Sequence, residues 1–276
     1  MILAFLNNKG GVGKTTSAVN VAAEVGSRGF KVLLVDLDSQ SSASLSLGIN
    51  RENFEPSIHD VLMENYPIHR AIRQSVTKNL DVVSADMRLS KYDTYFAYDV
   101  EGRTVKLKSV LDSVRNQYQL IVLDSGPGFG LLTTNTLIAA DYYLVPVTAE
   151  NLALQGLKNM IDAVNLVDKN IGKSAKRLGI LVTKYDKRLR VQREIFELLK
   201  NNFGQEVFDL GIPLNVRLSE APGFGQTIFA YDQMSSGADA YKLCVDEILR
   251  RLALALPLQK SEEIALERGR EVRVSV

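Results

Sequence analysis

The residues able to do chemistry are gathered in three short stretches: NNKGGVGKTT (7–16), VLLVDLDSQSSASLSLG (32–48) and LIVLDSGPG (120–128). In the first, an apolar run, ILAFL (2–6), leads into a glycine-rich loop that opens a helical pattern, TTSAVNVAAEVGSRG. Strand, loop and helix in that order converge backbone N–H groups and a helix N-terminus on an anion. Gly10, Gly11 and Gly13 let the backbone approach phosphates closely. Lys14 is then expected to reach the β and γ phosphates of a nucleotide and Thr15 to ligate Mg2+, with Val12 and Thr16 sharing the nucleotide contact. The pattern G-x-x-x-x-G-K-[ST] is missed only at its first position, Asn8. Lys9 is a second lysine in the same loop; without a family it also reads as a solvated loop side chain.

These groups need a rigid frame. Six apolar runs end just before loops: ILAFL, KVLLVD (31–36), LDVVSA (80–85), LIVLD (120–124), YYLVPV (142–147) and LGILVT (178–183). Runs of Val, Ile and Leu without polar alternation predict strands buried on both faces, as in a parallel sheet. Helical patterns lie between them, such as Leu154, Leu157, Ile161, Val164 and Val167. Strands alternating with helices predict an α/β fold, a doubly wound and mostly parallel sheet flanked by helices, in a single domain of residues 1–256. The last helix is expected from about Ala238 to Leu256, stopped by Pro257. Residues 257–276 read as a polar C-terminal tail.

Composition narrows the function classes. The chain has 276 residues, 46% of them hydrophobic, and a formal net charge of +1, so nucleic-acid binding would need a local basic patch. The single cysteine rules out an internal disulfide and fits a cytoplasmic setting. No apolar stretch approaches a bilayer span, and no membrane contact is expected. His59 and His69 are too few and too isolated for a histidine metal site, leaving magnesium as the one metal expected.

KGGVGKTT, with Lys9 as an added lysine, resembles the deviant Walker A motif of the ParA/Soj/MinD family of partitioning and positioning ATPases, and is closest to small ParA/Soj types. The resemblance covers the chain to about residue 256 and implies a P-loop NTPase fold and ATP hydrolysis. It also implies that Lys9 crosses a homodimer interface, formed on ATP binding, to touch the partner's phosphates, while Lys14 acts in its own subunit. VLLVDLDSQ resembles the family's second motif, in which Asp38 would orient or activate the attacking water and Asp36 would support the magnesium shell. LIVLDSGPG resembles the Walker B segment, with Asp124 reaching magnesium. Ser39 and Gly126 replace prolines common at these places. IPLNVRLSEAPGFGQTIFAYD (212–232) is similar to family segments near the adenine, with Pro213 and Asn215 as candidates for its pocket.

Between Lys173 and Arg193 there are eight basic residues and one acid, Asp186. On charge alone this is equally a solvated face or a footprint for DNA phosphates. The resemblance implies nonspecific double-stranded DNA binding by the ATP dimer, nearest to Arg188 and Arg217, with Lys184, Lys187 and Arg190 as helpers. It further implies a ParB-like or cargo-adaptor activator and a nucleoid-associated location. The first strand opens at residue 2, and no N-terminal helix-turn-helix is expected. The competing readings are a MinD-like membrane-cycling ATPase and a P-loop metabolic ligase. Tyr92, Tyr95, Phe96 and Tyr98 read either as a satellite core or as a partner surface.

Overall fold

Every one of the six apolar runs becomes a strand of one sheet in the computed structural model, which describes residues 1–96, 102–172 and 174–254. The strands are β1 (Ile2–Phe5), β2 (Val32–Leu37), β3 (Arg73–Gln74), β4 (Leu80–Val83), β5 (Leu120–Ser125), β6 (Tyr142–Thr148) and β7 (Lys176–Thr183). Their order is β3-β4-β2-β5-β1-β6-β7, and all pairs are parallel except β3 with β4. The short antiparallel edge strand β3 was not legible, because RQ carries no apolar run.

Among the described residues five helices of nine residues or more flank the sheet: α1 (Lys14–Ser27), α2 (Leu131–Ala139), α3 (Ala153–Ile171), α4 (Arg190–Phe203) and α5 (Ser236–Arg251). The absence of polar alternation in the strands now has its reason. Ile2, Ala4 and Leu6 face a core closed by α2, α3 and α4, while Leu3 and Phe5 face a second core closed by α1 and α5. Along α3, Leu157, Met160, Val164 and Val167 are buried at helical spacing.

The final helix ends at Arg251, short of the expected Leu256. Leu254 N–H bonds back to the Leu249 carbonyl and Ala253 turns into the left-handed region at φ 52°, so the helix closes before Pro257 is reached. The tail, 257–276, lies outside the described residues, as does Tyr98. Tyr92 and Phe96 enter the core, whereas Tyr95 is exposed.

Strand direction positions the chemistry. The phosphate loop follows β1 at the middle of the sheet, and Asp36, Asp124, Thr148 and Thr183 stand at or near the ends of β2, β5, β6 and β7 on that same edge.

Beyond β4 the chain is held by a charged network. Arg88 reaches Asp60 at 2.9 Å and Asp86 at 2.8 Å, and Asp60 also accepts from the Ser57 N–H at 2.6 Å. Burial alone would raise the Asp60 carboxyl; the Ser57 N–H and the Arg88 guanidinium more than offset it and hold it below the usual carboxylate range. A depressed native pKa adds stability that is present above the ordinary carboxylate pKa and is lost as pH falls through the native value. Arg88→Met should therefore destabilise the fold by about 2 kcal/mol near neutral pH, a figure reduced for the partial exposure of Arg88. The deficit should shrink as pH falls below about 4, read from urea unfolding curves of both proteins.

Candidate functional site

The phosphate loop is built for an anion. Gly13 stands in the left-handed region (φ 82°, ψ 24°) immediately before α1, and Gly11 does so at φ 74°. No side chain caps the first turn of α1, so its N–H groups are left for a ligand. Lys14 is buried, and its Nζ donates to the Lys9 carbonyl across the loop at 3.0 Å. Desolvation lowers its pKa, against the opposing pull of Asp124 and Asp38.

Three side chains that sequence reasoning passed over hold this loop. Asn7 Nδ2 donates to the Pro146 carbonyl at 2.7 Å, and Asn7 Oδ1 accepts from the Lys9 N–H at 2.9 Å, pinning the loop to β6. Thr183 Oγ1 donates to the Val12 carbonyl at 2.7 Å, pinning it to β7. The third is Glu150, in the turn between β6 and α3, which forms an ion pair with the Lys9 ammonium. That pair is more than half exposed, so Lys9 points away from the loop in which Lys14 is folded. Asn7 was within the quoted motif, and Thr183 closes an apolar run; only the sheet order brings Glu150 to Lys9.

The two strand-end acids are cross-strand partners, Asp36 on β2 facing Asp124 on β5. Asp36 is fully buried, and desolvation pushes its pKa up to about 6 despite hydrogen bonds. Its Oδ2 accepts from Ser44 N–H at 2.9 Å and Ser44 Oγ at 2.7 Å, and its Oδ1 from Asp38 N–H at 3.1 Å. Its lone pairs are thus partly spent on shaping the 38–44 turn. Asp124 differs: both oxygens are buried and accept no hydrogen bond. Desolvation and the neighbouring Asp36 raise its pKa well above the ordinary value, with Thr15 and Lys14 alongside opposing this. A buried, unpartnered carboxylate beside a threonine hydroxyl suits a hard divalent cation such as magnesium. Asp38 is half-buried and accepts from the Gln40 N–H at 2.9 Å, close to Gly126.

Pro213 and Asn215 line a cleft with Gly13, Thr16 and Tyr241, beside the phosphate loop. Asn215 is already engaged, its Oδ1 capping the turn at Arg217 (2.8 Å) and its Nδ2 donating to Ser236 (2.9 Å). The basic run does not form one patch. Lys176 and Arg177 sit at the start of β7, where Arg177 pairs with Glu206 at 2.6 Å, roughly 25 Å along the strand from Lys184. Lys184, Lys187, Arg188 and Arg190 are exposed at the other end of β7, near the phosphate loop. Arg188 is paired with Asp186 (2.7 Å), Arg190 with Glu194 (2.7 Å) and Arg217 with Glu220 (3.0 Å). Lys173 lies outside the described residues.

Known proteins resemble this chain in sequence and in fold. A family model described as an AAA domain matches residues 1–177. The sporulation initiation inhibitor protein Soj of Bacillus subtilis is 38% identical over 87% of this chain and 94% of its own length. The chromosome partitioning protein ParA of Myxococcus xanthus is 36% identical over 91% and 88%. Among solved structures, cobyrinic acid a,c-diamide synthase from Mycobacterium smegmatis, with bound ADP and magnesium, superposes with a TM-score of 0.79. It is 28% identical and covers 92% of this chain and 95% of its own.

The unpartnered carboxylate makes a prediction in which stability and ligation move in opposite directions. Asp124→Asn keeps the shape and removes a buried charge, so the nucleotide-free protein should gain about 1 kcal/mol. The same variant should lose the extra thermal stabilisation that magnesium adds to ADP or ATP, as seen in melting curves with and without a chelator.

Proposed function

The chain belongs to the ParA/Soj family of partitioning ATPases, with ATP and magnesium as its ligands, and from this premise we propose that it positions DNA or another cargo by a cycle of ATP-driven dimerisation. The observation that carries this reading is the divergence of the two loop lysines: Lys14 turns into its own phosphate loop and Lys9 turns out of it, onto Glu150.

In the proposed cycle, Gly10, Gly11, Val12, Gly13 and Thr16 wrap the phosphates with backbone N–H groups while Lys14 binds them from within. Bound magnesium would supply positive charge against the phosphates during transfer. Thr15 and Asp124 would hold it, and Asp36 would act from behind by fixing the turn that carries Asp38. Asp38 would orient the attacking water and take up its proton. Lys9 would complete the site of the partner subunit, a cation worth on the order of 10³ to 10⁵ in rate when delivered in this way. Pro213 would pack near the base, and Asn215 would shape that wall through its two existing hydrogen bonds.

The DNA contact proposed for the dimer uses Arg188 and Arg217, helped by Lys184, Lys187 and Arg190. The ion pairs of the three arginines lie at the surface, where such pairs contribute little, so phosphates can replace the carboxylates. Two copies on one duplex would combine weak contacts through effective concentration. A ParB-like or cargo-adaptor protein would stimulate hydrolysis, releasing the dimer locally from the nucleoid. Among the described residues no helix is long and apolar enough to cross a membrane.

Binding to random-sequence duplex DNA across a salt series tests the proposal. Asp38→Ala with ATP is expected to bind tightly and with steep salt dependence, and ADP to support little binding. Arg188→Ala plus Arg217→Ala should weaken affinity uniformly across sequences and flatten the salt slope. Confirmed ATP dimers with equal, negligible DNA binding in every state would overturn it, and binding to vesicles or turnover with a small acceptor would favour the membrane or ligase readings instead.

A further inference from the structure

The segment joining β5 to α2, SGPGFG (125–130), carries three glycines, and each meets a different part of the molecule. Gly126 backs onto Asp38: a Cβ there would lie 3.4 Å from Asp38 Cγ. Gly128 donates its N–H to the Asn8 carbonyl of the phosphate loop at 3.3 Å. At Gly130 a Cβ would fall 1.9 Å from Asp93 Oδ2, a separation no atom can occupy. The other oxygen, Asp93 Oδ1, accepts from the Leu132 N–H in the first turn of α2 at 3.2 Å.

Asp93 comes from a helical turn, Tyr92–Tyr95, that follows directly on the Met87–Lys91 turn capped by Asp86. Gly130, at the N-cap of α2, has no side chain of its own to offer. A carboxylate supplied from elsewhere fills that place, accepting a free N–H and facing the positive end of the helix. Between this cap and the site lies a cavity of about 270 Å³ lined by Asp38, Gly126, Tyr92, Asp93, Gly130 and Thr133.

We propose that Asp93 is a positioning residue for ATP hydrolysis: by capping α2 across this cavity, it fixes the 125–130 segment that bears on Asp38 and on the phosphate loop. This deepens the reading above, resting on Asp38 as the residue that orients water. Gly128 and Gly130 are also held by Asn8, Thr133 and Thr134, but these bonds run to the phosphate loop and to the segment's own helix; Asp93 is the tie that fixes the segment to the 92–95 turn, and without it the surface against which Asp38 rests loses its register.

Steady-state ATPase measurements on the full chain test it, using Asp93→Ala, Asp93→Asn, Gly130→Ala and the Asp93→Ala/Gly130→Ala double variant. Asp93→Ala should lower kcat about five-fold with KM for ATP held within about two-fold. Asp93→Asn should restore most of the rate, because an amide oxygen also caps. Gly130→Ala should reproduce the loss by expelling the carboxylate, and the double variant should be no worse than either single one. Hydrogen exchange at the Leu132 amide should quicken in Asp93→Ala and return towards the wild-type rate in Asp93→Asn. Additive losses, failure of the asparagine to rescue, or a raised KM with unchanged kcat would overturn the proposal. Asp38→Ala, measured alongside, keeps the two ideas apart: undiminished turnover there sinks the assignment of Asp38, whereas the Asp93–Gly130 coupling is read from the other variants alone.

Discussion

Two carboxylates side by side in a dry interior set the terms for this molecule. Asp36 and Asp124 are register partners at the ends of β2 and β5, and neither side chain reaches water. Buried like charges are costly unless cations and hydrogen bonds answer them. Asp36 is answered by Ser44 and the Asp38 N–H, and Asp124 has only the nearby Lys14 and Thr15. The nucleotide-free protein therefore holds an unmet electrostatic demand at the mouth of its phosphate loop. On the proposed assignment a metal-bound nucleotide would meet that demand, tying ligand affinity to the cost of burying the two acids.

The sheet is what allows such an arrangement to persist. With β1 between β5 and β6, the loop that follows it is pinned on one flank by Thr183, at the end of β7, and from beneath by Asn7. These contacts leave the glycines free of stabilising duties other than their backbone shape. The anion site is consequently rigid at its base and open at its rim.

Much of this was legible in the amino-acid order, and the rest was hidden for definite reasons. The strands were visible because burial on both faces writes an uninterrupted apolar run, and the loop was visible because its chemistry is contiguous. Glu150 and Asp93 were invisible because each meets its partner only through sheet order or a cap made between distant segments. The basic run misled in the opposite sense: residues adjacent in sequence were pulled to opposite ends of β7, and charge counting along the chain overstated the patch. The end of α5 was misplaced because a backbone turn at Ala253 acts before the proline does.

The contact between Lys9 and Glu150 gives the surface around the loop an unusual response to its surroundings. It is an exposed pair, so dissolved ions screen it and release the lysine. On the reading in which that lysine serves a second subunit, added salt lets go of the very group that pairing requires while also loosening any grip on a polyanion. A lysine–phosphate contact shut inside an interface is screened less than this exposed pair, so assembly would tolerate salt that already loosens attachment.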